Sequence, residues 1–138
     1  MTIISRGSIY LWKMYDFEDG GEFKDKYWLA LSCVVNSNPT YAVLPTSQYE
    51  KHYMYRADML HDTVIVEVGE CQYFSKRTVI DLKNIRKENS EKLKSAIEGS
   101  KFVYIGQIEQ EIMDRINDAI ENAYTLPQQL IDDLLCDD

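Results

Sequence analysis

Asp81 stands inside an otherwise apolar run, Thr78-Val-Ile-Asp-Leu82. A carboxylate in such a run is costly to bury unless a cation or an amide answers it. The expected partners are Lys26, Arg6 or a loop amide, with structural support ahead of catalysis as its role. His52 and His61 are acids or bases of the right strength near neutral pH, but each lies in a polar stretch where an exposed ring is the ordinary outcome. Thr46 and Ser47 follow Pro45, and their hydroxyls can bond a phosphate or a developing oxyanion; the same three residues also make an ordinary turn. Lys76, Arg77, Lys83, Arg86, Lys87, Lys92 and Lys94 form a basic stretch able to meet an anion. Tyr10, Trp12, Phe17, Phe23, Tyr27, Trp28, Tyr49, Tyr53 and Tyr55 can stack bases in an open groove, though at least half are more simply core or dimer contacts.

Other chemistries find little footing. Cys33, Cys71 and Cys136 are odd in number and lack Cys-x-x-Cys spacing. Cys33 and Cys71 lie in or beside apolar runs and read as buried reduced thiols. A zinc site needs more ligands than these and two histidines supply, so no metal is expected. There is no Gly-rich phosphate loop and no defensible Ser-His-Asp order, so no cofactor is expected either.

The chain has 138 residues, enough for one domain with a sizeable core. No run approaches the roughly 20 apolar residues of a membrane helix. The opening Met-Thr-Ile-Ile-Ser-Arg-Gly carries neither a signal-peptide core nor a lipidation motif, so a cytoplasmic location without membrane partners is expected. The net charge is −8, which taken whole opposes nucleic-acid binding. Its distribution matters more: residues 101–138 hold two bases and nine acids, a net −7, which leaves −1 for the first hundred residues.

The elements that must position these groups are mostly strands. Ile9–Trp12 reads as the first strand, and the polar stretch 16–26 as a long exposed loop. Tyr27–Val35 reads as a buried central strand, turned at Asn36–Pro39 into a hairpin partner at Thr40–Leu44. Residues 49–62 show no clean period and read as loop with room for one helical turn. Thr63–Val68, Lys76–Leu82 and Phe102–Ile105 complete the strands, and Asn89–Ile97 forms a short helix with Ser90 as its cap. Gln107–Ala123 is the strongest helix, striped by Ile108, Ile112, Ile116 and Ile120. After Pro127 comes a second, acidic amphipathic segment. The expected fold is β-rich α+β: a small barrel of five to seven strands with a C-terminal helix packed on it. Residues 1–124 make the domain and 125–138 an acidic tail.

The order of these pieces resembles the PemK/MazF-like toxins. Arg6-Gly-Ser-Ile-Tyr-Leu-Trp12 is similar to that family's opening strand, and Lys26-Tyr-Trp-Leu-Ala-Leu-Ser32 to its second, which ends in Ser. Val43-Leu-Pro-Thr-Ser-Gln48 resembles the strand that runs into Pro and hydroxyl residues. Thr78-Val-Ile-Asp-Leu-Lys-Asn-Ile85 resembles a Val-x-x-Asp-x-x-x-x-Ile strand, and Ile105-Gly106 with the following helix resembles the family's close. The likeness covers most of residues 6–123, with insertions near 49–62 and 88–101.

The resemblance implies an SH3-like barrel, usually a homodimer, that cleaves single-stranded RNA without a metal and is blocked by an acidic antitoxin. It implies catalytic roles for Lys26 and Thr46, with Ser47 beside them. Lys26 stands where the family has Arg, and an ammonium lacks the bidentate fork of a guanidinium. Arg6, Lys24, Lys76 and Arg77 are expected to bind the substrate backbone. The competing expectation is a weak or inactive relative that acts by binding protein or nucleic acid. The acidic segment 126–138 is expected to cap the core, or alternatively to dock as a built-in inhibitor.

Overall fold

In a computed structural model of the chain, residues 4–16, 23–32 and 40–135 are described. Strands β1 (Ser8–Tyr15), β2 (Lys24–Ala30), β3 (Thr40–Val43), β6 (Arg86–Glu88) and β7 (Phe102–Gln107) form an antiparallel sheet in the order β6-β3-β2-β1-β7. Strands β4 (Thr63–Val66) and β5 (Thr78–Asp81) form a second, two-stranded ladder. Among the described residues an isolated backbone bridge just past β3 links it to the second ladder: Thr46 N–H donates to Val79 O at 3.0 Å, and Val79 N–H to Thr46 O at 2.8 Å.

Both faces of the larger sheet are covered at its centre, which is why β1 from Ser8 to Trp12, the end of β2 and β3 are mostly buried, whereas β2 opens on Lys24-Asp-Lys26 and the edge strand β6 is charged. Alternation at period two sends Ile9, Leu29, Leu31 and Val43 to one side and Tyr10, Trp12, Trp28, Ala30 and Ala42 to the other. The first side meets β4, β5 and helices α3 (Gln110–Glu121) and α4 (Gln128–Leu134), through Ile112, Ile116, Ile120, Ile131 and Leu134. The second meets helix α2 (Ser90–Glu98) through Leu93 and Ala96. Its aromatic rings surround a buried carboxylate: Glu88 accepts from the Tyr15 hydroxyl at 2.8 Å and from Trp28 Nε1 at 2.8 Å. The Lys92 ammonium lies 4.0 Å from the centre of the Tyr15 ring.

Several expectations shift. Strand β2 begins at Lys24, so Lys24 and Lys26 are strand residues paired opposite Tyr15 and Trp12 rather than loop lysines. Arg86–Glu88, read only as charged sequence, is an edge strand paired with β3. Asn89, not Ser90, caps α2, its side chain accepting from Glu91 N and Lys92 N. Within 49–62 there are two short helical pieces, α1 (Tyr49–His52) and a 3-10 turn at Ala57–Met59. The segment expected as a tail packs into the main core through α4, with Asp132 and Asp133 outward. Its connection to α3 is clamped by Asp62, which accepts from Thr125 Oγ1 at 2.7 Å, Thr125 N at 3.0 Å and Tyr124 N at 3.1 Å. The expected turn at Asn36–Pro39, and Cys33, Cys136 and Phe17, lie outside the described residues.

Candidate functional site

Two clefts open where the larger sheet hands over to the smaller. The first, about 470 Å³, is lined by Lys26, Leu44, Pro45, Thr46, Tyr53, Asp81, Lys83, Asn84, Ile85 and Arg86. The second, about 190 Å³, lies on the other side of Lys26, Pro45 and Thr46, which line both. The antiparallel register of β2 on β3, with Leu29 opposite Val43, carried three residues further sets Lys26 opposite Thr46.

The larger cleft is cationic on an acidic chain, with three basic residues against the single carboxylate of Asp81. That carboxylate is buried and well answered. Tyr53 Oη donates to Oδ2 at 2.8 Å, Lys83 N–H to Oδ1 at 3.0 Å and Asn84 Nδ2 to Oδ2 at 3.3 Å, and the Lys83 ammonium lies 3.0 Å from Oδ1. Lys83 and Tyr53 thus fill the role expected of Lys26 or Arg6, while the Lys83 backbone supplies the expected amide. Lys83 Nζ also donates to Met59 O and His61 O, each at 2.7 Å, pinning the wall made by residues 53–62. Burial, then the hydrogen bond and charge of Asp81, raise the Tyr53 phenol well above the ordinary tyrosine range, so it stays protonated as a donor.

Thr46 lines both clefts, and its hydroxyl accepts from Gln48 N at 3.2 Å, the geometry of a hydroxyl turn. Ser47 is exposed and lines the smaller cleft with Gln48, Tyr27, Tyr73, Phe74, Ser75 and Thr78. The remaining expected residues are dispersed. Arg6, whose Nε donates to Leu31 O at 2.9 Å just past the far end of β2 from Lys24, lines neither cleft. Lys24 is exposed at the start of β2. Lys76 and Arg77 lie between Ser75 and Thr78 at the rim of the smaller cleft; Arg77 is forked onto Glu67 at 2.5 and 3.0 Å and covers the Tyr49 ring. Neither histidine lines a cleft: His52 bonds Gln48 Oε1 at 2.9 Å and His61 meets Asp62 at 3.3 Å.

Cys71 is buried, and burial first, with Glu109 adding, pushes its thiol up to about 11, which leaves it inert. Among the described residues no cluster of His, Cys, Asp and Glu has the makings of a metal site, and no helix is long and apolar enough to cross a membrane. Asn84 was missed as a site residue, and Tyr53, read as a ring able to stack bases, instead donates to Asp81; the signal pointing to both was the need of Asp81 for donors.

The chain matches no model of a known protein family and no curated protein.

Proposed function

We propose that this chain binds single-stranded RNA across the Lys26–Thr46 cleft and cleaves it without a metal, in the manner of the PemK/MazF-like toxins. The observation that carries the reading is that Lys26 and Thr46, which that resemblance pairs, line one cleft whose charge favours a phosphate. The handover from β3 through the Thr46–Val79 bridge to β5 supports an open, SH3-like barrel. In such a reaction the ribose 2′-oxygen attacks the adjacent phosphorus, its proton leaves to a base, and the 5′-oxygen departs with a proton. The products are a 2′,3′-cyclic phosphate and a 5′-hydroxyl. Lys26 and Arg86 would stabilise the pentavalent phosphate and Thr46 would hydrogen-bond an equatorial oxygen. A homodimer and an acidic antitoxin peptide complementary to the cationic cleft complete the proposal.

The test is incubation of mixed-sequence single-stranded RNA with the chain in EDTA, beside Lys26→Ala and Thr46→Ala. Cutting that both variants lose supports the reading. Cutting that survives both substitutions would place the activity elsewhere.

One observation favours a second reading, binding without cleavage. No histidine lines either cleft, and the one buried carboxylate of the larger cleft is committed to Tyr53, Lys83 and Asn84. Binding of the same RNA with no products would establish it.

A further inference from the structure

We infer that the smaller cleft is a subsite for one unpaired nucleobase, that of the nucleotide whose phosphate occupies the larger cleft. The inference rests on the RNA reading above and adds to it where sequence selectivity resides. Three features point to a base rather than to more backbone.

The first is composition. The larger cleft contains three basic residues, whereas the smaller contains Lys26 and Asp25, which cancel, together with three aromatic rings. A phosphate has no reason to prefer the neutral side, and a flat ring does.

The second is the presentation of the rings. Tyr27 is 36 % exposed on β2, and Phe74 meets it edge-on, with centroids 5.6 Å apart and planes at 66°. That contact braces Tyr27 while leaving its ring accessible, as a stacking platform requires. Tyr73 is braced from behind, lying so close over Gly106 that a Cβ there would fall 2.1 Å from its hydroxyl. The platform is therefore held in shape before any ligand arrives.

The third is the polar rim. Ser47, Gln48 and Ser75 offer both donors and acceptors around the aromatic floor, which suits the edge of a base. His52 fixes one end of the Gln48 amide through its oxygen. Because Lys26, Pro45 and Thr46 form the wall between the clefts, the two pockets are adjacent, as a base and its own phosphate are.

The test uses the full chain and short single-stranded 2′-O-methyl oligonucleotides, which lack the attacking hydroxyl and so cannot be cut. Affinities are measured by fluorescence anisotropy for a base-bearing strand and for an abasic strand of equal length. The wild type should prefer the base-bearing strand by at least about fivefold, the lower end of base–aromatic stacking. Tyr27→Leu, which keeps apolar bulk against Phe74, should remove that preference while leaving the abasic affinity unchanged. Tyr27→Trp should retain it, and Lys26→Ala should weaken both strands alike. A preference that survives Tyr27→Leu overturns the subsite while leaving RNA binding intact. Failure of the wild type to bind either strand overturns the subsite and the RNA reading together.

Discussion

The phenol of Tyr53 and the carboxylate of Asp81 meet at 2.8 Å beneath the larger cleft, joining the irregular segment 53–62 to the end of β5. Removing the phenol oxygen with Tyr53→Phe leaves Asp81 its bonds to Lys83 and Asn84, and should cost about 1–2 kcal/mol. Asp81→Ala also strips the largely buried Lys83 ammonium of its counter-ion and should cost more, about 3–5 kcal/mol. Urea unfolding of the two variants checks the order; equal costs would mean the phenol, not the ion pair, holds the wall.

Asp62 gives the fold an acid-sensitive clamp. Burial works to raise its carboxyl, but the bonds from Thr125 Oγ1, Tyr124 N, Thr125 N and His61 outweigh it and hold the pKa at about 2. A folded-state pKa below the ordinary 3.8 means the contribution is present above pH 4 and lost as the pH falls towards 2. The stability gap between wild type and Asp62→Asn should therefore be constant from pH 7 to pH 5 and shrink below pH 4. Urea midpoints measured across that range decide the matter, and a gap that persists at pH 2 would assign it to shape rather than charge.

At Gly106 on β7 the loop connecting β4 to β5 presses onto the larger sheet. A methyl group at this position would overlap the Tyr73 hydroxyl and ring, its nearest atoms 2.1 and 2.3 Å away. Gly106→Ala should destabilise by about 1–3 kcal/mol. The double variant with Tyr73→Ala should cost less than the two single changes added together, since the obstructing ring is gone. Strict additivity in thermal melts would show that the glycine is needed for its backbone instead.

Lys26 and Arg77 are both basic, yet only Lys26 lines a cleft. Arg77 is already neutralised by Glu67. If RNA binds as proposed, Lys26→Ala should reduce the slope of log affinity against log salt by about 1, with Arg77→Ala changing it less. Filter binding across a salt series separates them, and equal slope changes would extend the binding track beyond the clefts.

How much of this was legible beforehand varies with the physics that fixes each element. The α3 stripe follows from apolar periodicity and the β2–β3 pairing from an apolar run followed by turn residues, and both the stripe and the antiparallel pairing are present. Strand β6 was illegible because its three residues are all charged, and its pairing depends on Glu88 finding Tyr15 and Trp28 far away in sequence. Lys26 looked like a loop residue because polar neighbours obscure strand pairing that only the opposing β1 reveals. The need of Asp81 for a partner was readable, but which partner was not, since Tyr53 comes from a segment with no period of its own.

Strand β1 lies between β2 and β7, and Ser8 is paired with Gln107, 99 positions later. On a ribosome adding about 5–20 residues per second, β1 waits on the order of 5–20 s for its second neighbour. Throughout that interval an aromatic strand keeps one hydrogen-bonding edge open, a template for unwanted association between nascent chains. Yield in a cell should therefore depend on translation speed and chaperone supply as much as on the finished molecule's stability.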